Sequence, residues 1–387
     1  MRVTHVITRL IVGGAQENTV ASVLGLREHA DLSVGLISGP TRGPEGSLEG
    51  RLAGLDVLTV LPQLVRPIQP WNDWRALQKL TEIFREQRPD LVHTHSGKAG
   101  ILGRLAARRA RVPIIVHTIH GPSFGSFQGG FANGIFRAVE RYAARCTTHF
   151  VSVAEAMTRQ YLDAGIGRAG QFTCIRSGFD LGLFLKVKRD PALRAKLGLT
   201  PHDVVVGMIG RLAPLKGHDE LLAVSPMLVQ KSAKMKFLLL GDGPLRARLE
   251  QQAKALSLEK HFVFTGLVPP QEVPHFLGAM DLVVHLSRRE GLARALPQAL
   301  VAGLPVMAYD LDGAGEVCLH ERTGFLLPPG DRKQLTNRLL QLANDPGLRA
   351  RFGQEGREFV QAKFSVERMV EELYELYRRL AKQVVSG

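Results

Sequence analysis

The chain has 387 residues, more than one hydrophobic core of about 250 to 300 residues organises, so two domains are expected. Hydrophobic residues make up 45% and charged residues 22%, which excludes a disordered chain, and the 40 glycines lack the triplet period of collagen and imply many tight loops. Lys and Arg (50) outnumber Asp and Glu (36), and the net charge of +14 points to phosphates, nucleic acid or anionic lipid as partners.

The opening MRVTHVITRLIVGG is apolar, but Arg2, His5 and Arg9 interrupt it, so it reads as a strand running into a glycine turn and not as an export signal. From there apolar strand-like runs alternate with helical periodicity: VTHVI at 3–7, a helix over 16–29, LSVGLI at 32–37, a helix over 74–87, LVHTH at 91–95 and PIIVHTI at 113–119. The uncharged stretch 113–136 holds two histidines, five glycines and an internal proline, which rules it out as a membrane span. Cys146, Cys174 and Cys318 share no metal-like spacing and read as reduced thiols of a cytoplasmic protein. A linker falls near 178–190, and the strand pattern restarts at VVVGMI (204–209), KFLLLG (236–241), FVFTG (262–266), DLVVHL (281–286), LPVMAY (304–309) and GFLLP (324–328). This alternation predicts two α/β domains with doubly wound parallel sheets, 1–182 and 183–364. The segment 365–387 carries Val366, Met369, Val370, Leu373, Leu376, Tyr377 and Leu380 at amphipathic spacing, a bracing helix expected to cross back to the first domain.

Open α/β sheets offer the C-terminal ends of their strands to ligands, so a site between facing domains is expected and the strand ends are the place to look. Gly13 and Gly14 lead into the first helix, where backbone N–H groups can approach an anion; a plain tight turn satisfies the pattern equally. The run is not GxGxxG, which disfavours a nicotinamide dinucleotide. GRLAPLKG at 210–217 sets Arg211 and Lys216 in one loop after a strand, a guanidinium fork and an ammonium suited to a diphosphate. GDGP with Gly243 allows close backbone approach, and Gly266 and Leu267 end the next strand where a base could be read through backbone groups. In REGLARALPQAL, Glu290 is expected directly before a helix whose first N–H groups, at Gly291 and Leu292, face a ligand; helix capping is the other reading of Glu290. Gln298 would then lie about 12 Å further along that helix, too far for a glycosidase carboxylate pair but suited to the other end of one elongated ligand.

The order GGAQ, VHTIHG, GRLAPLKG, GDGP, EGLARALPQAL, GLPVMAYDLDGAGEV and RTGFLLPPGD resembles the retaining nucleotide-sugar glycosyltransferases of family four over essentially the whole chain, most specifically from Arg211 to Leu327. The resemblance implies the GT-B fold of two facing Rossmann-like domains and a UDP- or GDP-sugar donor. It implies that Arg211 and Lys216 bind the donor diphosphate, that Glu290 holds the transferred sugar, and that His120 in VHTIHG lies beside it. Front-face attack, without a side-chain nucleophile or a metal, is the mechanism it carries with it. The chain departs from the family at Gln298, where the second Glu of the E-x7-E motif binds the donor ribose; Gln keeps an acceptor oxygen but loses the charge. Asp310 and Asp312 are spaced like an Asp-x-Asp metal motif of another fold, and no metal or other cofactor is expected from them.

The acceptor is expected on the first domain, where 91–159 holds nine basic residues against two acidic, a local excess of +7. His95 and Lys98 at a strand end beside a helix start suit an acceptor phosphate or hydroxyl, and Phe124, Phe127, Phe131, Ile135 and Phe136 run into Arg137, Arg141 and Arg145, a combination suited to an anionic membrane or, for the phenylalanines, to core packing. A glycan or lipid-linked acceptor in cell-envelope polysaccharide or lipopolysaccharide synthesis follows, with the protein cytoplasmic or peripheral on the inner membrane face. The alternatives are a silent or epimerase-like GT-B protein, and a nucleic-acid-binding protein, against which the absence of helix-turn-helix, zinc and RNP signatures counts.

Overall fold

The computed structural model describes residues 1–43, 46–125 and 128–386. The chain divides into two compact units, Met1–Phe179 with Phe364–Gly387, and Asp180–Lys363.

In the first unit β1 (Arg2–Ile7), β2 (Ser33–Ser38), β3 (Leu58–Val60), β4 (Leu91–His95), β5 (Ile114–Ile119), β6 (His149–Ser152) and β7 (Phe172–Cys174) form one parallel sheet in the order β3-β2-β1-β4-β5-β6-β7. Helices α1 (Gly14–Leu26), α2 (Pro70–Gln87), α3 (Gly97–Arg109), α4 (Gly130–Ala144) and α5 (Glu155–Asp163) connect them. Every residue of β4 and β5 is buried, as in a sheet covered on both faces. The expected strands of this half are present to within a residue or two, whereas β3, β6 and β7 were not anticipated. Each is only three or four residues long, and β6 carries just Phe150 and Val151 as apolar residues, too little for a readable pattern.

The second unit contains β8 (Val204–Ile209), β9 (Met235–Leu240), β10 (Phe262–Gly266), β11 (Leu282–His285), β12 (Val306–Tyr309) and β13 (Gly324–Leu327), parallel and ordered β10-β9-β8-β11-β12-β13. All six match the expected runs. Its helices are α6 (Gly182–Leu185), α7 (Pro191–Lys196), α8 (His218–Lys231), α9 (Arg246–Ala255), α10 (Val273–Leu277), α11 (Ala295–Val301), α12 (Arg332–Asn344) and α13 (Pro346–Lys363). The strand order reverses between β1 and β4 in one sheet and between β8 and β11 in the other, and ligands of such sheets bind beyond the strand ends at these reversals.

One expectation fails here. The helix does not open directly after Glu290: α11 starts at Ala295, so Gly291 and Leu292 are not its first N–H groups and the helical rise to Gln298 does not apply. The reason is tertiary. The Glu290 N–H donates to Asp312 Oδ2 at 2.7 Å and the Gly291 carbonyl accepts from the Gly313 N–H at 3.1 Å, which ties the segment to the loop after β12 instead of to its own next turn.

The last helix, α14 (Val366–Ser386), belongs to the first unit. Its Met369, Val370, Leu373, Leu376, Tyr377 and Leu380 are buried in one cluster with Val20, Val23 and Leu26 of α1 and with β1 and β4 residues. Gly25 permits this approach, because a Cβ there would stand 2.4 Å from Val370 Cγ2. Truncating Leu373 to Ala should cost the first unit about 2–5 kcal/mol, read as a shift of its urea midpoint while the second unit keeps its own transition.

Candidate functional site

Three strand-end loops of the second unit are locked together by backbone. The Leu212 N–H donates to the Asp242 carbonyl at 3.0 Å, the Leu245 N–H to the Leu212 carbonyl at 2.9 Å, and the Gly241 N–H to the Gly266 carbonyl at 3.1 Å. A Cβ at Gly243 would sit 2.4 Å from the Leu212 carbonyl oxygen, so glycine is required for the contact. This holds the Arg211 loop after β8 against the loop after β9, with Leu267 exposed just past β10.

The same loop is fixed on its other side to the segment after β11. Gly217 has φ +82°, and a Cβ there would lie 2.1 Å from the Leu286 carbonyl oxygen. The Arg288 N–H donates to the Leu215 carbonyl at 2.7 Å. Behind it the Glu220 carboxylate, 3% exposed, binds Arg332 Nε at 2.8 Å and also Arg288. Burial pushes the Glu220 carboxyl up, but the two guanidiniums outweigh it and hold it below its ordinary range.

The consequence of this framework is an ion pair between Lys216 Nζ and Glu290 Oε1, its two side chains about 30% exposed. His285 at the end of β11 has Nε2 3.8 Å from the same carboxylate oxygen. Its pKa is pushed down to about 4 by burial, against the raising effect of Glu290, and Lys216 adds to the fall, so the ring is neutral at pH 7. Arg211, Lys216, Gly243, Gly266 and Glu290 thus meet on one set of strand-end loops. Gln298 lies in α11, partly buried.

In the first unit Gly13 and Gly14 open α1, and the Glu17 N–H donates to the Gly13 carbonyl at 2.9 Å. His120 follows β5 directly and its Nε2 lies 3.1 Å from Nδ1 of the buried His95. Lys98 has other partners: its ammonium pairs with Asp73 and donates to the Pro67 carbonyl, so the structure joins His95 to His120 and gives Lys98 to the start of α2. The basic stretch is also partly internal, since Arg104 is buried against Glu140 at 2.7 Å. Phe124 is core, packed on Tyr161, and Phe127 lies outside the described residues.

Sequence reasoning passed over His285 and Glu220 around Glu290, took Asp312 only as half of a metal-like spacing, and missed the partnership of His5, His93 and Tyr377 with His95. His285 carried a signal, a polar ring closing an apolar strand four residues before Arg289; Glu220 on α8 and Tyr377 on an amphipathic stripe carried none.

The architecture is shared with solved structures. The Anabaena protein HepE, crystallised with UDP, covers 98% of this chain and 100% of its own at a TM-score of 0.81 and 24% identity. The lipopolysaccharide outer core galactosyltransferase WaaB covers 98% and 100% at 0.73 and 14%. Two parallel-sheet α/β units of this topology define the GT-B architecture. Residues 13–178 match the glycosyl transferase 4-like domain and residues 190–359 the glycosyl transferases group 1 domain. A UDP-Gal:alpha-D-GlcNAc-diphosphoundecaprenol alpha-1,3-galactosyltransferase of Escherichia coli is 29% identical over 82% of both chains, and the capsular polysaccharide biosynthesis glycosyltransferase CapM of Staphylococcus aureus 26% over 85% of this chain and 86% of its own. The chain belongs to the group 1 glycosyltransferases, and it is an enzyme of the hexosyltransferase kind.

His285 and His218 are both buried neutral, each with a pKa lowered to about 4 chiefly by desolvation. Between pH 6.5 and 4 the unfolded chain binds more protons than the folded one, so stability rises with pH across that window and falls as pH drops through it, by on the order of 3 kcal/mol per ring. The melting temperature should therefore drop between pH 7.5 and 4.5, and His218→Gln should shrink the drop.

Proposed function

We propose that this enzyme transfers a hexose from a UDP-sugar, with retention of anomeric configuration, to a glycan or lipid-linked acceptor of envelope polysaccharide synthesis. The observation that carries the reading is the Lys216–Glu290 pair, which joins the Arg211 loop after β8 to the segment after β11 where the second sheet reverses. A departing nucleoside diphosphate gathers negative charge, and preorganised cations beside it lower the barrier most effectively when they need no rearrangement. Arg211 offers a bidentate fork and Lys216 a point charge for the two phosphates. Glu290 is the acceptor for sugar hydroxyls, and its pairing keeps Lys216 in place until a diphosphate competes for it. With His285 neutral, the carboxylate faces no second full charge from that side.

The choice of UDP and of a lipid-linked acceptor draws on the Escherichia coli relative, named for UDP-Gal and a diphosphoundecaprenol-linked sugar, and on the UDP and UDP-glucose complexes of HepE. The GDP-mannose-dependent alpha-mannosyltransferase of Mycobacterium tuberculosis, 32% identical over 65% of this chain, keeps a GDP-sugar in the comparison. Gln298 retains one acceptor oxygen for the donor ribose without the charge of a Glu. His95 is buried with both ring nitrogens bonded, so acceptor recognition falls to groups around it and not to His95 itself.

The purified enzyme should be assayed with UDP-glucose, UDP-galactose, UDP-GlcNAc and GDP-mannose in the presence of EDTA. One UDP-sugar should be turned over, the product anomer should match the donor by proton NMR, and Lys216→Ala should lower kcat/KM by about 100- to 1,000-fold. Undiminished transfer by Glu290→Ala would overturn the site, and loss of the wild-type rate on chelation would overturn the metal-independent reading.

Peripheral contact with an anionic membrane has its support on α4. Phe131, Ile135, Val139 and Tyr142 are exposed, Phe131 by 86%, at spacings of four, four and three residues that put them on one helix face. Arg141 and Arg145 are exposed near its end, and the one acidic residue of the helix, Glu140, is buried against Arg104. No helix among the described residues is long and apolar enough to cross a membrane. Replacing Phe131 and Ile135 by Ser should abolish co-sedimentation with phosphatidylglycerol vesicles while leaving transfer to a soluble acceptor analogue intact.

A further inference from the structure

The reversal point of the first sheet is filled by imidazoles. His5 on β1 faces His93 across the parallel register, His95 follows on the same side of β4, and all three are no more than 1% exposed. The rings are layered, with centroids 4.9 Å apart for His5 and His93, 4.4 Å for His93 and His95, and 5.4 Å for His95 and His120. Nitrogen atoms join them into a chain: His5 Nδ1 lies 2.9 Å from His95 Nε2, and His95 Nδ1 lies 3.1 Å from His120 Nε2. The far end is reached by α14. The Tyr377 hydroxyl bonds His93 Nδ1 and lies 3.4 Å from His5 Nε2, and His93 Nε2 lies 2.6 Å from Thr118 Oγ1.

Burial holds His5 and His120 at pKa values of about 3 and His93 and His95 well below the ordinary range, so each ring is neutral, with one N–H and one lone pair. In a chain of such rings every proton must point the same way, because two N–H groups cannot face each other and neither can two lone pairs. The direction is decided where the chain meets a group with a single proton. The Tyr377 hydroxyl has one, its contact to His5 is at the outer limit of a hydrogen bond, and phenol O–H into an imidazole lone pair is the stronger pairing, so it donates to His93 Nδ1. His93 Nε2–H then donates to Thr118 Oγ1. The Tyr377 oxygen is left to accept from His5 Nε2–H, His5 Nδ1 accepts from His95 Nε2–H, and His95 Nδ1 accepts from His120 Nε2–H.

We propose that Tyr377 on the C-terminal helix is a positioning residue that sets the tautomer of His120 through His5 and His95, and that His120 therefore presents Nδ1 as a hydrogen-bond acceptor. A ring in that state accepts a hydrogen bond from a hydroxyl, as of a sugar, and cannot donate to a phosphate or carbonyl oxygen from Nδ1. The functional half of this assignment rests on the transferase reading above; the tautomer itself does not. Among the described residues His5, His93 and His95 form the one group of three side chains whose ligand atoms all lie within 4.8 Å, yet the bonds above occupy their nitrogens with one another, with Tyr377 and with Thr118, which favours a proton-ordered chain over a metal centre.

Long-range proton–nitrogen correlation spectra of histidine-labelled full-length protein, assigned by single His→Gln variants, test this directly. His5, His95 and His120 should each show Nε2–H and bare Nδ1 at neutral pH. Tyr377→Phe should change all three together, with loss of the single Nε2–H pattern, while His149, whose Nε2 bonds Thr173 outside the chain, stays as it was. Should the variant not fold, the wild-type spectrum alone decides: Nδ1–H on His120 overturns the proposal. Unchanged tautomers in folded Tyr377→Phe overturn it as well, as does a stoichiometric zinc complex that removes the His5, His93 and His95 signals. Neither spectrum needs turnover, so failure of sugar transfer and failure of this assignment are separate results.

Discussion

In a doubly wound parallel sheet the connections before and after the point of reversed strand order leave in opposite directions, and the strand ends there stay uncovered. That gap falls between β8 and β11 in one unit and between β1 and β4 in the other. The Lys216–Glu290 pair lies beside the first of these gaps and the stacked imidazoles beside the second. Arg211 and Lys216 come from the loop after β8, Glu290 from the segment after β11, His5 from β1, and His95 from the end of β4. An uncovered strand end supplies backbone groups without partners, so the loops that leave it must bind each other or a ligand.

In the second unit the loops bind each other closely enough to require glycine at Gly217 and Gly243. Such contacts leave the backbone little freedom, which is what a site for charge needs. A cation stabilises a developing anion best when its position is already determined and no solvent must reorganise. The irregular run from Glu290 to Arg294 belongs to the same logic. A helix starting at Glu290 would have directed the N–H groups of its first turn along the helix axis; the Asp312 carboxylate instead holds the Glu290 N–H and sets the carboxylate of Glu290 against Lys216.

The first unit uses burial where the second uses charge. Four rings in a desolvated stack cannot be protonated at neutral pH, and a neutral imidazole carries directional information that an imidazolium lacks. Placing the phenol that orders the chain on α14 ties that information to the last helix of the sequence, held in turn by the close α1–α14 packing that Gly25 permits.

Much of this was legible beforehand. Strand runs of five to seven largely apolar residues, the glycines at the strand ends, the Arg211–Lys216 loop and the amphipathic stripe of α14 are local patterns, and local patterns follow from side-chain period and backbone sterics that a sequence displays directly. The short strands β3, β6 and β7, the delayed start of α11, the transfer of Lys98 to Asp73 and the burial of Phe124 were decided by partners distant in sequence. So were the neighbours of the two key side chains. Lys216 meets Glu290 across 74 residues because the segment after β11 is bonded to the β8 loop, and Tyr377 meets His93 across 284 residues because α14 returns to the first sheet. Sequence alone determined which residue types stand at strand ends and hence the class of chemistry; tertiary structure alone decided which of them touch, because desolvation and hydrogen-bond partnership are properties of the packed neighbourhood and not of the chain's local order.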